Sequence, residues 1–145
     1  MRLVDSFNFN GKKALIRVDF NVPIDNNIVT DSSRILAAKN TIDKVCNDGG
    51  SCILMSHLGR PNGFQLEYSL SKIVKKVESV LNKKVFFSED VIGKDAIKKS
   101  SELKQGEVLL LENVRFHDEE TTGDIDFARD LSKLGDCYIN DAFGT

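Results

Sequence analysis

The sequence has no tryptophan, two histidines and three cysteines, and each scarcity narrows what the chain can be. Without tryptophan, and with no interleaving of aromatic and basic residues, it lacks a stacking platform for nucleic acid. Cys46, Cys52 and Cys137 are odd in number and form no C-x-x-C pair. That argues against a disulfide framework or a zinc site and fits reduced thiols in a cytosol. His57 and His117 have no partner at helical i, i+4 spacing, so no metal ligand set is expected. Long apolar runs are missing as well. Stretches such as Cys52-Ile53-Leu54-Met55 fall far short of a membrane span, and Met1-Arg2-Leu3-Val4-Asp5 has no apolar core of a secretory signal. The net charge is only -2, so any anion site must be local rather than a general basic surface. There is no G-x-G-x-x-G and no G-x-x-x-x-G-K-[ST], so no recognisable loop cradles a dinucleotide or a nucleoside triphosphate.

What is present is the pattern of an ordinary globular domain. The 145 residues, 41% hydrophobic and 29% charged, suit one domain with a real core. Short apolar runs predict strands over 13–20, 52–56, 84–87, 107–111 and 137–139. Between them, helical spacing predicts helices over 33–46, 70–81, 94–99 and 126–134. Ile35, Ala38, Ile42 and Val45 make the stripe of the first helix, with Asp31 or Ser32 as its cap and Asp48-Gly49-Gly50 as its stop. Leu70, Ile73, Val74, Val77 and Leu81 form the second stripe, with Ser69 as cap. Ile125, Ala128, Leu131 and Leu134 form the last. The third helix has a poor packing face at Lys98-Lys99-Ser100-Ser101. No internal repeat, low-complexity tract or linker is visible. Strand–helix alternation with nearly continuous apolar strands implies an α/β fold: three layers, a mostly parallel sheet with helices on both faces, Rossmann-like.

In such sheets ligands bind beyond the carboxyl ends of the strands, and the polar chemistry gathers there. The first strand runs into Arg17-Val18-Asp19-Phe20-Asn21-Val22-Pro23. Its period of two sends Arg17, Asp19 and Asn21 to one side and Val18, Phe20 and Val22 to the other, and Pro23 ends the ladder. Ser56-His57-Leu58-Gly59-Arg60-Pro61 follows the second strand and Glu112-Asn113-Val114-Arg115-Phe116-His117 the fourth. Arg34 arrives on the first turn of the first helix. The opposite ends carry plain turn chemistry, Asn10-Gly11-Lys12, Asp48-Gly49-Gly50 and Lys104-Gln105-Gly106. Arg17, Arg34, Arg60, Arg115 and His57 at one edge suit a small, oxygen-rich anion, since guanidinium groups offer paired donors to carboxylate or phosphate. Asp19 and Asn21 can orient a ligand hydroxyl. A single surface arginine is more often just a solvated charge; it is the joint placement at successive strand ends that points to a phosphorylated hydroxy-acid. Cys52 opens an apolar strand and reads as core. Glu119-Glu120 reads as solvated, and His117 as structural.

The segments Arg17-Val18-Asp19-Phe20-Asn21-Val22-Pro23, Thr30-Asp31-Ser32-Ser33-Arg34-Ile35, Ser56-His57-Leu58-Gly59-Arg60-Pro61 with Gly63, Leu109-Leu110-Leu111-Glu112-Asn113-Val114-Arg115-Phe116 and Asn140-Asp141-Ala142-Phe143-Gly144-Thr145 occur in this order. Together they resemble the phosphoglycerate kinase family, specifically its N-terminal, phosphoglycerate-binding domain, over roughly residues 8–145. The resemblance implies reversible phosphoryl transfer between 1,3-bisphosphoglycerate and ADP, giving 3-phosphoglycerate and ATP, with Mg on the nucleotide. It implies that Asp19, Phe20 and Asn21 meet the substrate, Asp19 and Asn21 at its C2 hydroxyl. Arg34 would be the catalytic cation at the carboxylate and the phosphoryl group in flight. His57, Arg60 and Arg115 would grip the other phosphate, with Leu58 and Gly59 completing the loop. Arg17 would orient Asp19 through an ion pair. The resemblance further implies a cytoplasmic monomer with no membrane or nucleic-acid partner.

Departures from the family pattern are small: Ala14, Val114, and Asn40 where proline is frequent. The large one is at the end. The family continues with an Ala-His-Arg segment, the rest of the domain and a second domain that carries the nucleotide site. Residues 1–145 are therefore expected to be an incomplete N-terminal domain with no nucleotide or metal ligands of its own, inactive as a kinase by itself, and with an unpaired sheet edge and exposed apolar surface, Phe143 included. A non-catalytic module for small phospho-acids and, less favoured for want of a glycine-rich loop, a Rossmann-type nucleotide binder are the competing readings.

Overall fold

The computed structural model describes residues 3–117 and 125–142. Its centre is a five-stranded sheet of β1 (Lys13–Val18), β4 (Ser51–Met55), β5 (Val85–Phe87), β6 (Val108–Leu110) and β7 (Cys137–Asp141), in the order β5-β6-β4-β1-β7. Every pairing in it is parallel. Ile24–Asp25 (β2) and Ile28–Val29 (β3) form a separate antiparallel hairpin. Asn26 and Asn27 turn it with φ of 51° and 63°, the left-handed pair that a two-residue hairpin requires. This hairpin was not anticipated, because two residues per strand are too few to show a period.

Alternation along the strands divides the core into two layers. Ala14, Ile16 and Val18 of β1 join Cys52 and Leu54 of β4 under α1 (Ser33–Asn47) and α2 (Val74–Leu81). Leu15, Ile53 and Met55 face the other way, towards α3 (Lys94–Glu102) and α4 (Ile125–Ser132). All five residues of β4 are buried, as expected for a strand paired on both sides and covered on both faces. Burying a side chain such as Ile53 contributes about 1.5–3 kcal/mol. The three-layer α/β expectation therefore holds.

Three helices differ in detail from the sequence-based expectation. The 70–81 segment begins as a 3-10 turn, Leu70–Ile73, before becoming α-helical at Val74; the Ser69 hydroxyl accepts the Ser71 N–H as its cap. α3 runs three residues past 99 to Glu102. Its N-terminus is fixed from outside, since the Asp90 carboxylate accepts the N–H groups of Asp95 (3.1 Å) and Ala96 (2.8 Å). In α4 the buried apolar residues are Phe127 and Leu131, with Leu134 just beyond the helix, not the stripe starting at Ile125 and Ala128. Ile125 is 73% exposed, whereas Phe127 is buried and stacks on His117 at 4.9 Å between ring centroids. Glu119, Glu120, Phe143, Gly144 and Thr145 lie outside the described residues. Along the β7 edge the residues alternate between half-buried and exposed, and Tyr138 is 54% exposed. Among the described residues no helix is long and apolar enough to cross a membrane.

Candidate functional site

β1 and β4 send their chains to the α1/α2 face, while β5 and β6 send theirs to the α3/α4 face. β4 and β6 are neighbours, so the loops leaving these two adjacent strands lead towards opposite faces, the kind of switch point beside which α/β sheets bind ligands. The segments 56–60 and 112–116 are those two loops, and 19–21 lies alongside.

The first loop is built on Asp19 and Asn21. Asp19 Oδ1 accepts the Asn21 N–H (3.2 Å) and meets Arg34 Nη1 at 3.3 Å. The same Nη1 donates to the Asn21 carbonyl at 2.7 Å. Arg34 is brought there by the start of α1, where the Asp31 carboxylate accepts the Ser33 N–H at 2.9 Å. That bond and the Ser33 hydroxyl hold the Asp31 carboxyl below its ordinary value, opposed by burial and helped a little by the Arg34 charge. The cation meeting Asp19 is thus Arg34, in place of the Arg17 pairing expected. Arg17 leaves β1 on the opposite face from Val18, beside its register partner Asn140. Half of the Arg34 side chain remains accessible, so its other donors are presented outward.

Asn21 joins the first loop to the second, its Oδ1 accepting the Gly59 N–H at 2.9 Å. A further link runs from the Phe20 N–H to Ser56 Oγ (2.9 Å), and that hydroxyl donates to the His57 carbonyl (3.0 Å). Gly59 has φ of +63°, and a Cβ there would fall 2.5 Å from the Tyr68 ring. Both the backbone conformation and the space demand glycine. Arg60 is exposed, while His57 and Arg115 are half-buried. Two expected contacts are qualified by burial. Phe20 (0% exposed) and Leu58 (5%) have their side chains in the core, so only their backbones can face a ligand.

The second and third loops are fastened by residues to which sequence reasoning assigned no role. Asn113, fully buried, donates from Nδ2 to the Leu58 and Tyr68 carbonyls (2.8 and 2.9 Å) and accepts the Arg115 N–H at 2.9 Å. Glu112, 5% exposed, accepts from Ser69 Oγ (2.6 Å) and from the N–H groups of Leu70 and Asn113 (both 2.8 Å). Polar side chains that immediately follow a buried apolar strand must find partners inside; that was the available signal. Gly59, Arg60 and Arg115 are thereby set on loops that Asn21 and Asn113 lock together, with Arg34 reaching the first loop from α1. Such an edge can bind a small polyanion through guanidinium groups and a hydroxyl through Asp19 Oδ2 and the Asn21 amide. Among the described residues no group of three or more His, Cys, Asp or Glu could hold a metal ion.

Comparisons with known proteins agree on one relationship. Residues 4–145 match the profile of the family described as phosphoglycerate kinase. Curated relatives of that name include those of Porphyromonas gingivalis, 44% identical over 98% of this chain and 40% of the relative, and Chlorobium chlorochromatii, 49% identical over 93% and 34%. Among solved structures, the phosphoglycerate kinase of Pyrococcus horikoshii superposes with a TM-score of 0.87 at 33% identity, covering 100% of this chain and 37% of that one. That of Coxiella burnetii gives 0.83 at 32% identity, covering 97% and 35%. The chain thus spans well under half the length of the relatives and structures it matches.

Proposed function

The chain belongs to the phosphoglycerate kinase family, and from that premise we propose that it provides the 3-phosphoglycerate side of a kinase active site. The reaction is transfer of a phosphoryl group between 1,3-bisphosphoglycerate and ADP. Residues 1–145 form an incomplete N-terminal domain, and the Mg-nucleotide is held by the part of the relatives' length that this chain does not span. Residues 1–145 alone carry no kinase activity.

The observation that supports this best is the coupling of three strand-end loops through Asn21 and Asn113, with Arg34 held on the first of them. Asn21 Oδ1 is committed to Gly59, so Asn21 offers the substrate hydroxyl its amide hydrogens. Asp19 Oδ1 is committed to Arg34 and the Asn21 N–H, so Oδ2 accepts the hydroxyl proton. Arg34 neutralises the carboxylate and the phosphoryl group as it moves. His57, Arg60 and Arg115 hold the phosphate that stays. The nucleophile is an ADP phosphate oxygen in one direction and the substrate carboxylate in the other. Both are deprotonated at neutral pH, so no general base is needed and catalysis reduces to positioning and charge neutralisation.

The test separates the two kinds of cation. In the full-length enzyme Arg34→Ala lowers kcat by roughly 100-fold or more while changing KM little, because Arg34 meets charge that develops in the transition state. Arg60→Ala raises KM for 3-phosphoglycerate with a much smaller change in kcat. Equal losses of kcat in both variants would refute this division of roles.

A further inference from the structure

At the amino ends of the strands, away from the proposed substrate site, α1 and β4 bring two thiols together. Cys46 lies in the last turn of α1 and Cys52 is the second residue of β4. Their Sγ atoms are 3.9 Å apart. Cys52 is fully buried, Cys46 is half-buried, and Cys52 Sγ also approaches the Ile42 carbonyl at 3.8 Å. Lys83, in the turn after α2, adds a positive charge to the surroundings and lies 3.9 Å from Asp43 Oδ1 on α1.

We propose that Cys46 and Cys52 form an oxidation site, a dithiol that closes to an intrachain disulfide when a hydroperoxide is present. The pair is asymmetric in the way such a site requires. The hydrogen bond with Cys52, helped by Lys83 and opposed by burial and Asp43, lowers the Cys46 thiol below its ordinary range. The same hydrogen bond and burial push the Cys52 thiol well up. Cys46 is therefore the nucleophile and Cys52 the resolving partner. The Cys46 thiolate attacks one peroxide oxygen: an S–O bond forms, the O–O bond breaks, and the departing hydroxide takes up a proton as water. The Cys52 sulfur then attacks the Cys46 sulfenic acid. The S–S bond forms, the S–O bond breaks, and the hydroxide leaves as water with the Cys52 proton. Each cycle oxidises two thiols and reduces one peroxide to two waters, and an external dithiol reverses it. Cys137 provides an internal contrast, because burial and the Asp136 carboxylate raise its thiol, and the sulfur–sulfur contact is between the other two cysteines.

The bridge would tie the end of α1 to the start of β4. Those two elements lead, at their other ends, to Arg34 and to His57. The inference is independent of the substrate reading, since it concerns thiol chemistry alone. To test it, the reduced full-length protein is treated with a slight excess of hydrogen peroxide, alkylated with iodoacetamide and digested with trypsin. The peptide holding both Cys46 and Cys52 should be lighter by two hydrogen atoms, refuse alkylation, and recover both thiols after dithiothreitol. Cys46→Ser should slow thiol loss at Cys52 by roughly tenfold or more. Cys52→Ala should leave a Cys46 sulfenic acid that dimedone captures. Should Cys52→Ala fail to fold, the wild-type map and Cys46→Ser still decide. Full alkylation of both thiols after peroxide, or oxidation of Cys137 ahead of Cys46, would overturn the proposal.

Discussion

At the amino edge of the sheet the turns close largely backbone to backbone. Gly11 N–H donates to the Gly49 carbonyl, Ser51 N–H to Lys12, Gly106 N–H to Gly50 and Asp136 N–H to Lys13, all at 2.6–3.1 Å. At the carboxyl edge the loops are fastened to one another by buried side chains: Ser56, Ser69, Glu112 and Asn113, none more than 5% exposed. The difference is instructive because both edges belong to the same strands. Backbone bonds between turns need only glycine or asparagine in the right conformation and leave the side chains free to vary. A buried amide or carboxylate instead links segments through one specific side chain, such as Asn113 to Leu58, and leaving one of its partners unsatisfied costs about 1–3 kcal/mol. That stiffer, less tolerant construction is found on the side of the proposed substrate site, where preorganised anion binding would need arginines held in register.

The comparison can be broken most severely at Asn113. Asn113→Ala leaves the Leu58 and Tyr68 carbonyls and the Arg115 N–H without their partner, and should cost roughly 3 kcal/mol in urea denaturation of the full-length protein. Phosphoglycerate binding should weaken as well, since two of the three loops are released; unchanged stability and affinity would mean that Asn113 does not organise the edge. A paired substitution sharpens the contrast. Gly59→Ala meets both a left-handed φ and the Tyr68 ring at 2.5 Å, whereas Gly11→Ala meets φ of +71° with nothing within 4 Å. We expect about 2–3 kcal/mol for the first and about 1 kcal/mol for the second, and thermal or urea unfolding of the two variants measures the gap. The smallest effect is at Asp48, on the amino edge. Its carboxylate meets Lys44 at 2.8 Å and accepts the Phe9 N–H at 3.1 Å, which holds it below its ordinary value of 3.8. A lowered folded pKa contributes stability above the unfolded pKa and loses it as pH falls through the folded one. Asp48→Asn should therefore be slightly less stable than wild type at pH 7, with the difference shrinking as pH falls through the lowered folded pKa. A constant difference across that range would assign the effect to packing.

Much of this construction is legible in the residues, but unevenly. Strands 13–20 and 52–56 announce themselves because β1 and β4 are apolar on both faces, and the first helix because Ile35, Ala38, Ile42 and Val45 repeat at helical spacing and are all buried. The stripe of α4 misleads, since a short amphipathic helix offers two apolar faces and tertiary packing, against the Leu15 and Ile53 face of the sheet and the His117 ring, selects Phe127. The Asp90 cap on α3 lies five and six residues before the N–H groups it meets, outside the cap-to-first-turn spacing by which a helix start is read. At the site the same division holds. The exposed arginines declare themselves by chemistry. Which carboxylate each one meets, Arg34 and not Arg17 for Asp19, depends on how α1 docks, and that is a property of the packed molecule.

The register of β1 with β7 has a consequence for how the chain is made. Lys13 donates to Asp136 across 123 positions of sequence, and Ala14 pairs with Cys137. Among the described strands, the first to leave the ribosome is thus also the one whose second neighbour follows latest. At synthesis rates of about 5–20 residues per second, one flank of β1 waits roughly 6–25 s for its partner. During that interval an apolar strand has one ladder of backbone donors and acceptors open to any other extended chain. This interval, more than the final stability, is where the nascent chain is most exposed to pairing with a wrong strand.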